Sequence, residues 1–344
     1  LSLHDALPIS PIDYLCSVNA LRIVKDWTLP VAMGTGALLY VLFAFVPGLD
    51  GVAVFMAPVL DGLLPVFMFL VLFVTFCKVD FHRMRPVWWH FWVGVFQLLF
   101  VALVMAAILF FELKGSWLVM MEALLMCIIA PCATAAAVVT QKLGGSLEQT
   151  TTYTFLSNLL TVVLVPVCFP LIEKNGNVPF VAALLKILYQ LVTLLVVPML
   201  LAYVVKHHMR GLHRRIVAVR DLSFYLWACS LMIVTGTTVR NIVHAQAPTL
   251  LLIAIALLVL LLCVVQFAVG RYIGHFFSRT QESGQALGQK NTAFAIWLST
   301  TCLNPLSSVG PGCYILWQNI VNSVEIWMKQ RESTKQAHAP VQTA

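Results

Sequence analysis

Runs of apolar residues long enough to span a bilayer recur along this chain, and very few folds can accommodate them. They cover residues 28–45, 52–77, 88–111, 118–139, 147–172, 179–205, 222–239, 250–276, 286–302 and 305–327. A helix of about 20 residues crosses a hydrocarbon core of roughly 30 Å, whereas strands of a membrane barrel alternate polar and apolar residues over about 10. With 60% hydrophobic and 10% charged residues in 344, the chain is far from the soluble average of about 25% charged. The expected fold is an all-α membrane protein of ten transmembrane helices. Its nine cysteines form no C-x-x-C pair, which argues against a zinc site or a redox dithiol and leaves them as packing residues.

The net charge of +7 is explained by where the basic residues fall. Sixteen of the 21, among them Lys78, Arg83, Lys142, Lys206, Arg210, Arg214, Arg215 and Lys329, lie on one side of the spans, and only Lys114, Lys174 and Arg240 lie on the other. Lys186 and Lys290 fall inside spans. By the positive-inside rule both termini are expected in the cytoplasm, the membrane being the inner (cell) membrane of a bacterium. The charge therefore implies a lipid bilayer as partner and no nucleic acid. The loop around Arg210 to Arg215 is an ordinary cytoplasmic loop or a contact for anionic lipid. Lys186 and Glu122 are expected to snorkel from near span ends.

Residues 1–9, LSLHDALPI, match neither a helix pattern nor a signal peptide and resemble a translated sequencing adapter. They are set aside with the tail 1–17. Residues 18–174 then make a first five-helix repeat, 175–329 a second, and 330–344 a cytoplasmic tail. Because five is odd, the second repeat enters from the opposite side, giving inverted topology. Such chains pair interrupted helices at corresponding positions of the two halves. Here the fourth span carries Pro131 followed by small residues, and the ninth ends at Asn304-Pro305. Proline removes a backbone donor and clashes with the preceding turn, so breaks are expected at Pro131 and Pro305. Unwound backbone at membrane depth requires protein or a water-lined cavity to satisfy it. Half-helix N-termini aimed at one point would favour an anion; the plainer alternative is a kinked, closely packed helix.

Lys290 stands inside membrane-grade sequence, GQKNTAFAIWL. A lysine at mid-bilayer costs roughly 2.5 to 3.5 kcal/mol on insertion scales, so it faces a partner or a cavity unless it snorkels from a helix end.

Three segments taken together resemble the bile acid:sodium symporter family. PCATAAAVVTQKLGGSLEQTTTYTFLSNLL is similar to its P-G-G-T-A-S-N-V-x-T motif and following helix, GQKNTAFAIWLS to G-x-Q-N-S-G-L-A, and ILWQNIVNS to W-x-N-I-T-G-S. Order and spacing agree from Thr28 to Trp327. The resemblance implies ten helices, a panel set against a core domain, and crossing broken helices four and nine around the sites. The family threonine falls on Thr134, and hydroxyl ligands of the next helix on Thr150 and Thr154. The glutamine ligand of helix three falls on Gln97 and the family asparagine on Asn291. Sodium-ligating Ser, Asn and Glu fall on Ala136, Ala137 and Ala286, and the ligating Gln on Lys290. A register shifted by one places Gln285, Gln289 and Lys290 on Glu, Gln and Asn, and the carboxylate is lost either way.

Sodium needs several oxygens and a nearby negative charge to offset dehydration. An ammonium about 4 Å away opposes it by around 4 kcal/mol at an effective dielectric of 20, roughly a thousandfold in affinity. The expectation is no cofactor and weak or absent sodium binding. Lys290 then takes the ion's place beside Gln97 and backbone carbonyls, or acts as counter-ion to an anionic substrate with Thr134, Asn291 and Asn319, or titrates with transport. Glu148 is either its partner or a helix-start acid. Thr150 and Thr154 either ligate or bond back to helix carbonyls, Gln97 either ligates or bridges helices, and Asn319 lines the cavity or packs its helix.

The resulting expectation is a secondary active transporter of small organic anions working by alternating access, sodium-independent. The alternatives are a sodium- or proton-coupled symporter and, in another class, a non-transporting membrane sensor. No G-x-x-x-x-G-K-[ST] motif and no acid, base or metal constellation suggests a pump or an enzyme.

Overall fold

The computed structural model describes residues 27–46, 48–172, 185, 188–189, 192–244 and 247–337. Among them the regular structure is helical. In chain order the helices are α1 Thr28–Phe45, α2 Asp50–Lys78, α3 Trp88–Phe110, α4 Gly115–Ile129, α5 Ala135–Lys142, α6 Leu147–Ile172, α7 Val197–His208, α8 Arg210–Ala218, α9 Leu222–Val243, α10 Thr249–His275, α11 Thr280–Gly288, α12 Thr292–Cys302 and α13 Val309–Ala337. Six helices among the described residues are long and apolar enough to cross a membrane: α1, α2 from Pro58, α3, α6, α9 to Arg240, and α10. The first part of the expected sixth span, with Lys186, lies outside the described residues.

The helices pack as two groups. In one, α9 lies against α1 and α2, and α2 against α7; in the other, α10 holds α11, α13 and α4, with α3, α5, α6 and α12 around them. Close approach in the first group depends on glycine. A Cβ on Gly36 would collide with the Met232 carbonyl, and one on Gly236 would lie 3.0 Å from the Gly36 carbonyl oxygen. Small residues permit such helix contacts where apolar burial from water is not the driving force. The second group is centred on α4, whose Leu125, Met126, Ile128 and Ile129 are fully buried against Val165, Val259, Cys263, Leu298 and Tyr314.

Residues that the charge count assigns to one side come together at one end of these helices. Lys78 donates to the carbonyls of Val219 and Arg220 at 3.0 and 2.8 Å, and Lys206 to that of Val79 at 3.2 Å. Lys142 pairs with Asp221 at 2.7 Å.

The fourth span is broken where proline dictates. Ala130, preceding Pro131, is extended at φ −55°, ψ 140°, as the steric demand of a following proline favours. The ninth is broken elsewhere than expected. It begins at Thr280, stops at Gly288 and resumes at Thr292, so its interruption is residues 289–291 and not Pro305. Pro305 instead opens a short 3-10 turn, Pro305–Ser308, between α12 and α13, with the Asn304 side chain accepting from Leu306 N–H; proline suits a first helical position because no N–H is needed there.

Candidate functional site

No proline interrupts the ninth span at residues 289–291; the other break holds it open. Ala133 N–H donates to the Gln289 carbonyl at 2.9 Å, and Asn291 N–H to the Pro131 carbonyl at 2.9 Å, so Cys132 and Lys290 form an antiparallel bridge. Each unwound stretch satisfies part of the other's backbone, the condition for such backbone at membrane depth. Gln318 clamps the crossing: its Oε1 accepts from Lys290 N–H at 2.8 Å and its Nε2 donates to the Lys290 carbonyl at 3.2 Å.

A helix leaves its last four carbonyls without intrahelical partners, and those of α4 are accounted for one by one. Met126 accepts from Ala130 N–H. Cys127 accepts from Gln266 Nε2 at 3.3 Å, and Ile129 from the Thr161 hydroxyl at 2.9 Å. Ile128 accepts twice, from Gln97 Nε2 at 2.9 Å and from Lys290 Nζ at 3.2 Å. The Lys290 ammonium, 1% exposed, thus sits at the negative end of the α4 dipole. It meets a carbonyl it shares with Gln97 and not the Gln97 amide itself. Gln97 is tied in turn to α6, where the Tyr153 hydroxyl donates to its Oε1 at 3.3 Å.

Thr134, Lys290, Asn291 and Asn319 all line one cavity of about 70 Å³. The cavity separates the two helix groups: Leu64 and Met68 of α2 and Trp227 and Leu231 of α9 face the N-termini of α5 and α12. Asn291 caps α12 by accepting from Phe294 N–H, while the N-terminus of α5 at Thr134 has no side-chain cap. Asn319 does both things considered for it, lining the cavity and donating back to the Ile315 carbonyl. Gln289, also on the cavity wall, is buried without a hydrogen-bond partner for its amide.

The remaining positions are placed as follows. Thr150 and Thr154 bond back to the Ser146 and Thr150 carbonyls at 3.2 and 3.0 Å, and Thr154 also approaches Cys132 Sγ at 3.7 Å. Ala136 and Ala286, with no side-chain oxygen, fall together in an apolar cluster with Trp89, Val93, Cys132, Tyr153 and Leu287. Ala137 packs against Val79 and Leu147. At these three positions the side chains offer methyl groups and no oxygen. Glu148 accepts from the Ser146 hydroxyl in the first turn of α6, the role of a helix-start acid. Glu122 does not reach a span end: it is fully buried in the middle of α4.

Gln318, Gln266 and Thr161 were missed by motif reading. Their signal is a lone amide or hydroxyl in an otherwise apolar span, such as Gln266 in LLCVVQFAV. The sodium bile acid symporter family model matches residues 65–276. No curated protein matches the chain.

Proposed function

Because the chain belongs to the sodium bile acid symporter family, we propose that it is a secondary transporter of a small organic anion that runs without a bound sodium ion, with the Lys290 ammonium holding the cation's place. The proposal includes ten crossings arranged as two inverted five-helix repeats, with the group built on α9 as the panel and the group built on α4 and α10 as the core. The observation that carries it is the pairing of an apolar cluster at Ala136 and Ala286 with a buried ammonium on the Ile128 carbonyl. A positive charge on Lys290 would balance the α4 dipole, so the crossing is assembled without waiting for an ion.

The substrate site is the cavity at Thr134, Asn291 and Asn319. At about 70 Å³ it is well below the roughly 300 to 1,000 Å³ of a drug-sized ligand site, so this conformation is closed around the crossing. Substrate enters as the panel and core part, and alternating access is that parting on one face and then the other.

Uptake of a panel of anionic metabolites into proteoliposomes tests the proposal, using wild type and Lys290→Ala with sodium, with potassium in its place, and with an imposed pH gradient. Uptake that ignores sodium and is lost in Lys290→Ala supports it. Steep sodium dependence in wild type overturns the resident-cation role, and saturable binding without flux overturns transport itself.

A further inference from the structure

A second cavity of about 130 Å³ lies at the end of the helices where Lys142 and Asp221 pair. Its walls continue those of the crossing cavity. On α5 the lining passes from Ala135 to Lys142, on α9 from Val234 to Phe224, and on α13 from Ile315 and Asn319 to Ser323, Ile326 and Gln330. Seven helical residues on α5 separate the two by about 10 Å at 1.5 Å per residue. Val138 and Val139 lie between them on α5, in one apolar cluster with Trp227 and Leu231 of the crossing cavity and Ile326 of the outer one, and this cluster is the plug.

Lys142 belongs to the helix group of the crossing and Asp221 to the group of α9, so their ion pair straddles the boundary that must open. The pair is 2.7 Å long, with both side chains about a third exposed. The Lys142 ammonium also stands 4.9 Å from the centre of the Phe224 ring. Asp221 is a carboxylate that this chamber already holds against an ammonium, beside the hydroxyl-bearing residues Ser323 and Tyr225.

We propose that this chamber is an outer carboxylate-binding station on the translocation path, in which Asp221 is the resident anion that Lys142 exchanges for the carboxylate of the substrate as panel and core part. The station rests on the transporter function proposed above. While the pair is closed, the plug beneath it seals the crossing from this face. When the pair opens, the freed ammonium attracts an incoming anion and the carboxylate of Asp221 recedes with the panel. Exposed ion pairs are weak, with a median near 0–1 kcal/mol, which suits a contact that must break in every cycle.

The test uses full-length protein in vesicles and a membrane-impermeant thiosulfonate reagent applied to the Lys142 face, with the parent protein as blank for native thiols. Ser230→Cys reports the crossing cavity and Ser323→Cys the outer chamber. Asp221→Asn is expected to speed labelling of Ser230→Cys several-fold, and the swap Lys142→Asp with Asp221→Lys to restore the slow rate, which also shows that the fold survives. In Asp221→Asn, benzoate is expected to slow labelling of Ser323→Cys, and adding Lys142→Gln to remove that protection. An unchanged Ser230→Cys rate in Asp221→Asn overturns the seal, and protection that persists without Lys142 overturns the station. Neither arm measures flux, so a chain that proved not to transport would leave these rates responding and be recognised separately.

Discussion

Replacing Gln318 by leucine tests whether the crossing is held by a side-chain clamp. The leucine keeps most of the volume, so no large cavity opens, but both amide bonds to Lys290 are lost. The Lys290 carbonyl keeps Thr292 N–H at 2.9 Å, whereas Lys290 N–H loses its Gln318 partner at 2.8 Å and is left buried. An orphaned buried donor costs about 1 to 3 kcal/mol and a lost second bond about 0.5 to 1.5, giving roughly 1.5 to 4.5 kcal/mol in all. At about 2 °C per kcal/mol for a chain of this size, the unfolding midpoint should drop by roughly 3 to 9 °C. Buried thiols at Cys127, Cys263 and Cys313 make a fluorogenic thiol dye a suitable reporter, read at one fixed heating rate because such unfolding is kinetically controlled. A midpoint within about 1 °C of wild type would refute the backbone accounting on which the site is built.

Further expectations follow the same accounting. Gly36→Ala should lower the midpoint by overpacking against the Met232 carbonyl, costing about 1 to 3 kcal/mol, while Gly34→Ala, with nothing within 4 Å of its Cβ, should leave the same melting curve in place. Thr161→Val leaves the Ile129 carbonyl without its hydroxyl donor and should cost about 1 to 3 kcal/mol, read in the same dye assay. Gln97→Leu removes a donor from the Ile128 and Ala130 carbonyls and the acceptor of Tyr153, so it should be more damaging than Tyr153→Phe, which removes a single bond worth about 0.5 to 1.5 kcal/mol; equal midpoints would contradict the network. Lys290→Ala should abolish uptake in proteoliposomes without creating a sodium requirement, since the Ala136 and Ala286 positions still lack oxygens.

Much of this arrangement is legible in the sequence because the bilayer constrains spans so strongly. The bounds 28–45 and 147–172 agree with α1 and α6, and Pro131 announces its own break through chemistry that acts on adjacent residues. The break at residues 289–291 was misplaced to Pro305 for an equally physical reason. It carries no helix breaker of its own strength and exists through backbone bonds to Pro131 and Ala133 in the other half of the chain, which no local pattern records. The clamp by Gln318, 28 residues along the chain from Lys290, is hidden for the same reason. Thr134 and Asn291, singled out by the motifs, share a cavity with Asn319, whose role the motifs left open, and of the partners expected for Lys290, Gln97 and backbone carbonyls, it meets a carbonyl that Gln97 shares. Glu122 was expected to snorkel because its spacing from the span end looked short; the helix packing encloses it instead.

The reciprocal bridge between Cys132 and Lys290 also governs how the protein is made. When the first half has been synthesised and inserted, the backbone beyond Pro131 still lacks the partners that Gln289 and Asn291 supply. Maturation is then a late joining of two incomplete pieces, and a truncation between them should leave both vulnerable to membrane quality-control proteases, with co-expression of the missing piece as the remedy.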